Sequence, residues 1–276
     1  MGLHTTIDQN LVTHIFRVME RGAFVMYPNE YPADTREKPL WLAAKLGCYE
    51  DVISLISGKH EVEGFGGYMH CSPLAIAAVH NHADIVLELV KHGADLLSKD
   101  RYHTQTALHA TVRQYNARSS GLLERVDIAS ILIHAMVKSG LTLDSADECG
   151  RTALHLAVSD SNEIVVRRLL DNGADIFVRD VAGMTALKYS IIEKNVCITK
   201  ILIEYGADVN ERYHHGRMPL HLCMHTRVPE LLLLLLAHGA DTSATDNGGL
   251  DAIAIASQQE WLDGVNIIKG NSVKNP

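Results

Sequence analysis

The sequence predicts an all-α solenoid of stacked helix-turn-helix units joined by β-hairpin-like turns, with about six to seven repeats and an N-terminal capping helix. Three observations predict it. A short apolar segment recurs with anchors at Leu40, Leu74, Leu108, Leu154, Leu187, Leu220 and Ile253, at intervals of 34, 34, 46, 33, 33 and 33 residues. A second marker, Gly-Ala-Asp, begins at Gly93, Gly173, Gly206 and Gly239, each 19 residues after an anchor. Each unit also holds a second apolar segment at helical spacing. One such unit cannot cover its own apolar face, so neighbours stack and share a core.

The elements of a unit follow from its residues. The recurring segments run from Lys38-Pro39-Leu40-Trp41-Leu42-Ala43-Ala44 and Ser72-Pro73-Leu74-Ala75-Ile76-Ala77-Ala78 to Thr152-Ala153-Leu154-His155-Leu156-Ala157 and Met218-Pro219-Leu220-His221-Leu222. Thr152 suits an N-cap, and Pro39, Pro73 and Pro219 suit a first helical turn, where a missing N–H costs nothing. Small alanines such as Ala44, Ala77 and Ala157 let neighbouring first helices approach closely. The second helix presents a wide apolar face, as in Ile164, Val165, Val166, Leu169 and Leu170, and Gly173 ends it in a left-handed C-cap. Asp147 to Gly150 and Asp180 to Gly183 have the Asp-x-x-Gly form of a tight turn at a hairpin tip.

The expected organisation is a capping helix and connector over 1–33, repeats near 34–66, 67–99, 100–146, 147–179, 180–212, 213–245 and 246–269, and a tail at 270–276. Thr6 and Gln9 have capping-box spacing, and Ile7, Leu11, Ile15, Phe16 and Met19 share one helical face. A cap is the simplest reading of that segment; a cut within a longer array is its rival. The 46-residue interval carries an insertion. Counted from Leu132, nine extra residues fall between the helices in Arg113 to Arg125, with an exposed loop over Tyr115 to Gly121, and four extend the second helix by a turn. At the far end, Trp261, Leu262, Val265 and Ile268 outline a short last helix, with fraying expected from about Gly270.

Two markers in fixed phase over residues 34 to 262 resemble the ankyrin-repeat family, whose unit carries a T-P-L-H-x-A signature. The resemblance implies a protein-protein interaction module, an adaptor or scaffold, that binds a peptide or protein partner through hairpin tips and the concave face of the first helices. The tip positions are then Tyr102, His103, Gln105, Glu148, Arg151, Met184, His215 and Arg217, and the first-helix positions Arg113, Gln114, Asp160, Glu193 and His225, all expected to be exposed and free of core duty. His109, His155 and His221 fill the signature's histidine slot, where the resemblance implies a backbone hydrogen bond linking neighbouring units. Asn210, with Leu202, Asp208 and Val209, resembles the pattern used by asparaginyl hydroxylases; the ordinary ankyrin turn accounts for the same residues. Other roles compatible with the resemblance are substrate recognition in a ubiquitin-ligase adaptor, or a regulatory domain of a larger protein or microbial effector.

Composition narrows the chemistry. A formal net charge of −8 argues against general affinity for nucleic-acid phosphates. Five scattered cysteines without a C-x-x-C pair argue against a thiolate metal site or a disulfide framework, and point to a reducing compartment, cytoplasm or nucleus. The histidines at 80 and 82, and at 214, 215, 221 and 225, lack the spacing of a metal motif. No phosphate-binding loop or nucleophile elbow occurs, so no catalytic residue, cofactor or metal is assigned and enzyme activity is not expected. The most apolar run, Leu231 to Ala237, is too short for a membrane span. Met1 to Thr6 matches the minimal myristoylation pattern at Gly2, without the basic cluster that firm anchoring needs. The chain alone is expected to be monomeric.

Overall fold

Small hydroxyl and acidic side chains start the first helices. The computed structural model describes residues 39–58, 64, 66, 70–112 and 122–272, which fall within one unit, Glu37–Pro276. The expected capping helix at 7–26, the Gly2 pattern, Arg113, Gln114 and the loop at 115–121 lie outside the described residues. Ser72 Oγ accepts from Ala75 N–H at 3.2 Å, Thr185 Oγ1 from Lys188 N–H at 3.3 Å, and Asp251 Oδ1 from Ala254 N–H at 2.7 Å. Each supplies an acceptor that the first helical turn lacks.

The described residues form seven helix pairs. The first helices are α1 (Pro39–Leu46), α3 (Pro73–Val79), α5 (Ala107–Val112), α7 (Ala153–Ser159), α9 (Ala186–Ile192), α11 (Pro219–Thr226) and α13 (Ala252–Gln258). The second helices are α2 (Tyr49–Ser57), α4 (Ala83–Lys91), α6 (Leu122–Lys138), α8 (Glu163–Asp171), α10 (Val196–Glu204), α12 (Pro229–Ala237) and α14 (Leu262–Ser272). Each first helix packs on its own second helix and on the first helices of adjacent pairs; the second helices stack likewise. Two helical layers result, and every principal contact is between sequence neighbours, as a repeat array requires.

The core lies between the layers. Ala44, Ala77 and Ala157 are buried where first helices meet, so the absence of larger side chains sets their close approach. Three of the second helices contribute three large side chains in the same register: Ile85, Val86 and Leu89 from α4, Val165, Val166 and Leu169 from α8, Leu231, Leu232 and Leu235 from α12. Burial of each contributes roughly 1.5–3 kcal/mol. α14 continues through Gly270 to Ser272, beyond the point where the sequence suggests fraying.

The insertion differs from the expected arrangement. α6 has 17 residues where α8 has 9, and both end two residues before their glycine, Gly140 and Gly173. The added helix therefore lies at the N-terminal end of α6, not as a turn after Leu132. Counting back from the glycine, Met136 takes the place of Leu169 and Leu132 that of Val165, and both are buried. Aligning Leu132 with Leu169 matched residue type; packing aligns the helix on its C-terminal glycine.

Gly150 shows how closely successive tips approach. Its φ is +76°, and a Cβ there would lie 2.9 Å from the backbone nitrogen of Val181 in the next tip. Gly150→Ala combines left-handed strain with a backbone clash and is expected to cost about 2 kcal/mol, read as a lower urea midpoint at unchanged m. An unchanged midpoint would show that the two tips are not held together.

Candidate partner-binding surface

The hairpin tips are built on aspartate. Asp147 Oδ1 accepts from the Cys149 and Arg151 N–H groups at 2.9 Å each, and Asp180 Oδ1 accepts from Ala182 at 2.9 Å and Met184 at 2.8 Å. Asp246 repeats the arrangement with Gly248 at 2.8 Å and Leu250 at 3.1 Å, and Asp100 Oδ1 accepts from Tyr102 and His103. The backbone closes the Asp147, Asp180 and Asp246 hairpins twice, as from Asp147 N–H to Arg151 C=O and from Gly150 N–H to Asp147 C=O, both at 2.9 Å. Successive tips are tied together as well. Glu148 N–H donates to His103 C=O at 3.1 Å, Val181 N–H to Cys149 C=O at 3.0 Å, and Asn247 N–H to His215 C=O at 2.9 Å. The tips thus form a braced ridge.

The signature histidines brace the next layer. In His155 the Nδ1 accepts from Thr152 N–H at 3.2 Å, which leaves the proton on Nε2, and Nε2 donates to Met184 C=O of the following repeat at 3.1 Å. His109 repeats this with Thr106 N–H at 3.3 Å and Arg151 C=O at 3.1 Å. Burial holds both imidazoles below the usual histidine range, outweighing the carbonyl partners that favour the cation. His221 Nδ1 accepts from Met218 N–H at 3.1 Å, but its buried Nε2 finds no partner.

The structure spreads the sequence-selected residues over different environments. Tyr102, Glu148 and His215 are exposed at the tips, His103 is half-buried, and its Nδ1 lies 2.8 Å from Glu148 Oε1. Glu193 and His225 are exposed at the ends of α9 and α11, where His225 meets Gln259, and Asp160 is half-buried after α7. Met184 is half-buried.

The expectation of freedom from core duty fails for Gln105, Arg151 and Arg217. Gln105 is buried: its hairpin is one residue longer than the others, Thr104 turns left-handed at φ 49°, and the Gln105 amide faces inward. Arg151 pairs through Nε at 3.0 Å and Nη2 at 2.8 Å with Asp147 Oδ2, inside its own tip. Arg217 Nε lies 3.6 Å from Asp246 Oδ2 of the next tip. Position in a repeat assigns a residue to the tip, but only the turn geometry decides whether the side chain folds back.

Two features escaped the sequence reading. Val181 is 78% exposed, an uncovered apolar side chain at the outermost point of its turn. Its place directly after Asp180 in an Asp-x-x-Gly turn was the available signal. The second is a polar cluster in the fifth repeat, where Lys188 fills the histidine slot and Tyr213 the turn-aspartate slot. Glu211 Oε1 accepts from Thr185 Oγ1 at 2.5 Å and Tyr213 Oη at 2.6 Å, and Glu211 Oε2 lies 3.0 Å from Arg179 Nη2. Lys188 Nζ sits 4.9 Å above the Tyr213 ring. Burial lowers the Lys188 pKa, and burial with the Glu211 carboxylate raises that of Tyr213 well above the phenol range. Nearby, burial and the Asp180 carboxylate, which accepts from Tyr189 Oη at 2.7 Å, push that phenol up to about 12. The cluster ties two repeats together by side chains where the histidine and aspartate bonds are missing.

Asn210 has a structural task. Its Nδ2 donates to Gly239 C=O at 3.0 Å and its Oδ1 accepts from Asp241 N–H at 2.8 Å, joining two repeats. Asp144 does half of this in an earlier repeat, accepting from Asp175 N–H at 2.9 Å. Among the described residues, no three His, Cys, Asp or Glu side chains group to hold a metal ion, and no helix is long and apolar enough to cross a membrane.

A family model described as ankyrin repeats in three copies matches residues 119–213, and a single ankyrin-repeat model matches 69–101 and 215–247. The fold is similar to the ankyrin repeat domain of Bcl-3, described as a unique member of the IkappaB protein family. The TM-score is 0.74 at 24% identity, covering 85% of this chain and 99% of that one. No curated protein matches the chain in sequence. Family models matching over half the chain, together with seven helix pairs in the expected order, establish that this protein belongs to the ankyrin-repeat family.

Proposed function

We propose that the chain is an adaptor or scaffold that captures a peptide or protein partner on its hairpin tips and the adjoining first-helix face. One observation carries this: the braced ridge displays Tyr102, Glu148, Val181 and His215 outward, with Val181 78% exposed on a rigid turn. An apolar side chain held there gains little from the fold and is placed to be covered by a partner. Rigidity lowers the ordering cost of binding, and tyrosine is a frequent interface anchor. His103, Met184, Asp160, Glu193 and His225 border the same face, and a partner covering it would bury on the order of 1,200–2,000 Å². Cytoplasm or nucleus suits such a role, and the chain acts as a monomer in this reading.

The test is affinity capture with quantitative mass spectrometry, comparing the native chain with a Tyr102→Ala, Val181→Glu double variant. The variant is expected to lose at least about tenfold of the captured partner while its stability stays within about 0.5 kcal/mol, because neither side chain packs in the core. Equal capture by both proteins would remove the ridge as the binding surface.

A further inference from the structure

At two places among the described residues, side chains cross between neighbouring second helices in the outer layer. Arg168, the sixth residue of α8, reaches back to the preceding second helix, where its guanidinium donates to Ser130 Oγ of α6. Tyr205, just after α10, bonds Asp171 of α8 in the same layer. Counted back from the closing glycine, Ala135 of α6 stands where α8 carries Arg168, and a groove of about 1020 Å³ lies open between α4 and α6. Its floor is apolar, with Leu87 and Val90 from α4 and Ile131 and Ala135 from α6; Leu87 is 42% exposed. Its rim carries Lys91, His134 and Lys138 against one acid, Asp95. Lys91 is shared with Glu88 at 3.0 Å.

We propose that this groove is a second docking site, distinct from the hairpin ridge, and that its occupant is an acidic amphipathic helix of a protein partner. Two roughly parallel helical walls accept a third helix by interlocking side-chain rows, which demands apolar anchors at i, i+4 and i+7 spacing. The volume lies at the top of the roughly 300–1,000 Å³ range of ligand clefts, and the site is a channel between helices, which favours an elongated guest. The cationic rim, on a chain of net charge −8, selects carboxylates on the guest's flanks. With partners on both layers, the chain bridges two proteins.

The test uses the full chain and a fluorescein-labelled amphipathic peptide of about 15 residues, with leucines at i, i+4, i+7 and i+11 and glutamates on both flanks. Fluorescence anisotropy should show saturable binding. Ala135→Arg, which places in α6 the side chain that α8 carries, should weaken it at least about tenfold without moving the unfolding midpoint. The Lys91→Glu, Lys138→Glu double variant should weaken it about fivefold and flatten its salt dependence, and offers a second reading if Ala135→Arg folds poorly. The same peptide with lysine for glutamate should bind at least about tenfold more weakly, while the Tyr102→Ala, Val181→Glu variant should bind as the native chain does. Absence of saturable binding, full affinity in Ala135→Arg, or equal binding of the lysine peptide would overturn the proposal. So would sedimentation showing a dimer that Ala135→Arg dissolves, which would make a second copy the occupant.

Discussion

Arg151→Ala is expected to destabilise the chain by about 2 kcal/mol, although sequence position makes Arg151 look like a dispensable tip residue. The Asp147 side chain is fully enclosed and the Arg151 side chain only 24% exposed. Burial alone would raise the Asp147 pKa; the Arg151 guanidinium and the turn's N–H groups more than offset this and hold it below the usual carboxylate range. Removing one member of a buried pair typically costs about 3–5 kcal/mol; two backbone donors remain on Asp147, which sets the smaller figure. Arg151→Lys should fall between, since an ammonium keeps the charge but loses the two-pronged geometry. The pH dependence separates charge from packing. A carboxyl whose folded pKa is depressed contributes stability above its unfolded pKa, about 3.9, and loses it as pH falls through the folded value. The gap between native chain and variant should therefore shrink on titration from pH ~5 to below ~3. A gap in urea midpoints that stays constant over that range would assign the loss to packing instead.

His155→Ala is expected to cost about 3 kcal/mol, the larger of the two effects. It leaves a cavity at the junction of two repeats and strands both Thr152 N–H and Met184 C=O, each bonded to the ring at 3.1–3.2 Å in the native chain. The same geometry predicts a response to mild acid. Burial lowers the folded pKa of His109 and His155, so the unfolded chain takes up protons first as pH falls below its ordinary histidine value of about 6.5. The unfolded state then binds more protons than the native one, and stability falls with pH. The contribution is fully present above ~6.5 and declines down to the folded values, after which the curve levels. Thermal unfolding from pH ~7.5 to ~5 should show this decline in the native chain and a shallower one in His155→Ala. Identical slopes would show that this ring's buried neutral form does not contribute.

Much of the architecture was legible because a repeat announces itself many times over. Each anchor, alanine pair and helix-ending glycine reports the same local requirement, and agreement between copies removes the ambiguity of any one segment. The histidine link was readable for the same reason: His109 and His155 stand one slot after Leu108 and Leu154 and perform the same bonds. Legibility failed where a residue's task depends on something not repeated. The one-residue lengthening of the third hairpin turns Gln105 inward. Arg151 folds onto its own aspartate and Arg217 toward the next. Matching leucine to leucine placed the insertion of α6 at the wrong end, because the packing register counts from Gly140.

The spacing of small, apolar and turn-forming residues by itself determined the helix pairs, their order and the family, because those depend on contacts between neighbours that every unit repeats. Only the tertiary structure decided which tip side chains are exposed, that Val181 stands uncovered at its turn, and that a groove lined by Leu87, Ile131 and Ala135 lies between α4 and α6. Availability and concavity are properties of what surrounds a residue, and the surroundings of a side chain here come from the unit before and the unit after it.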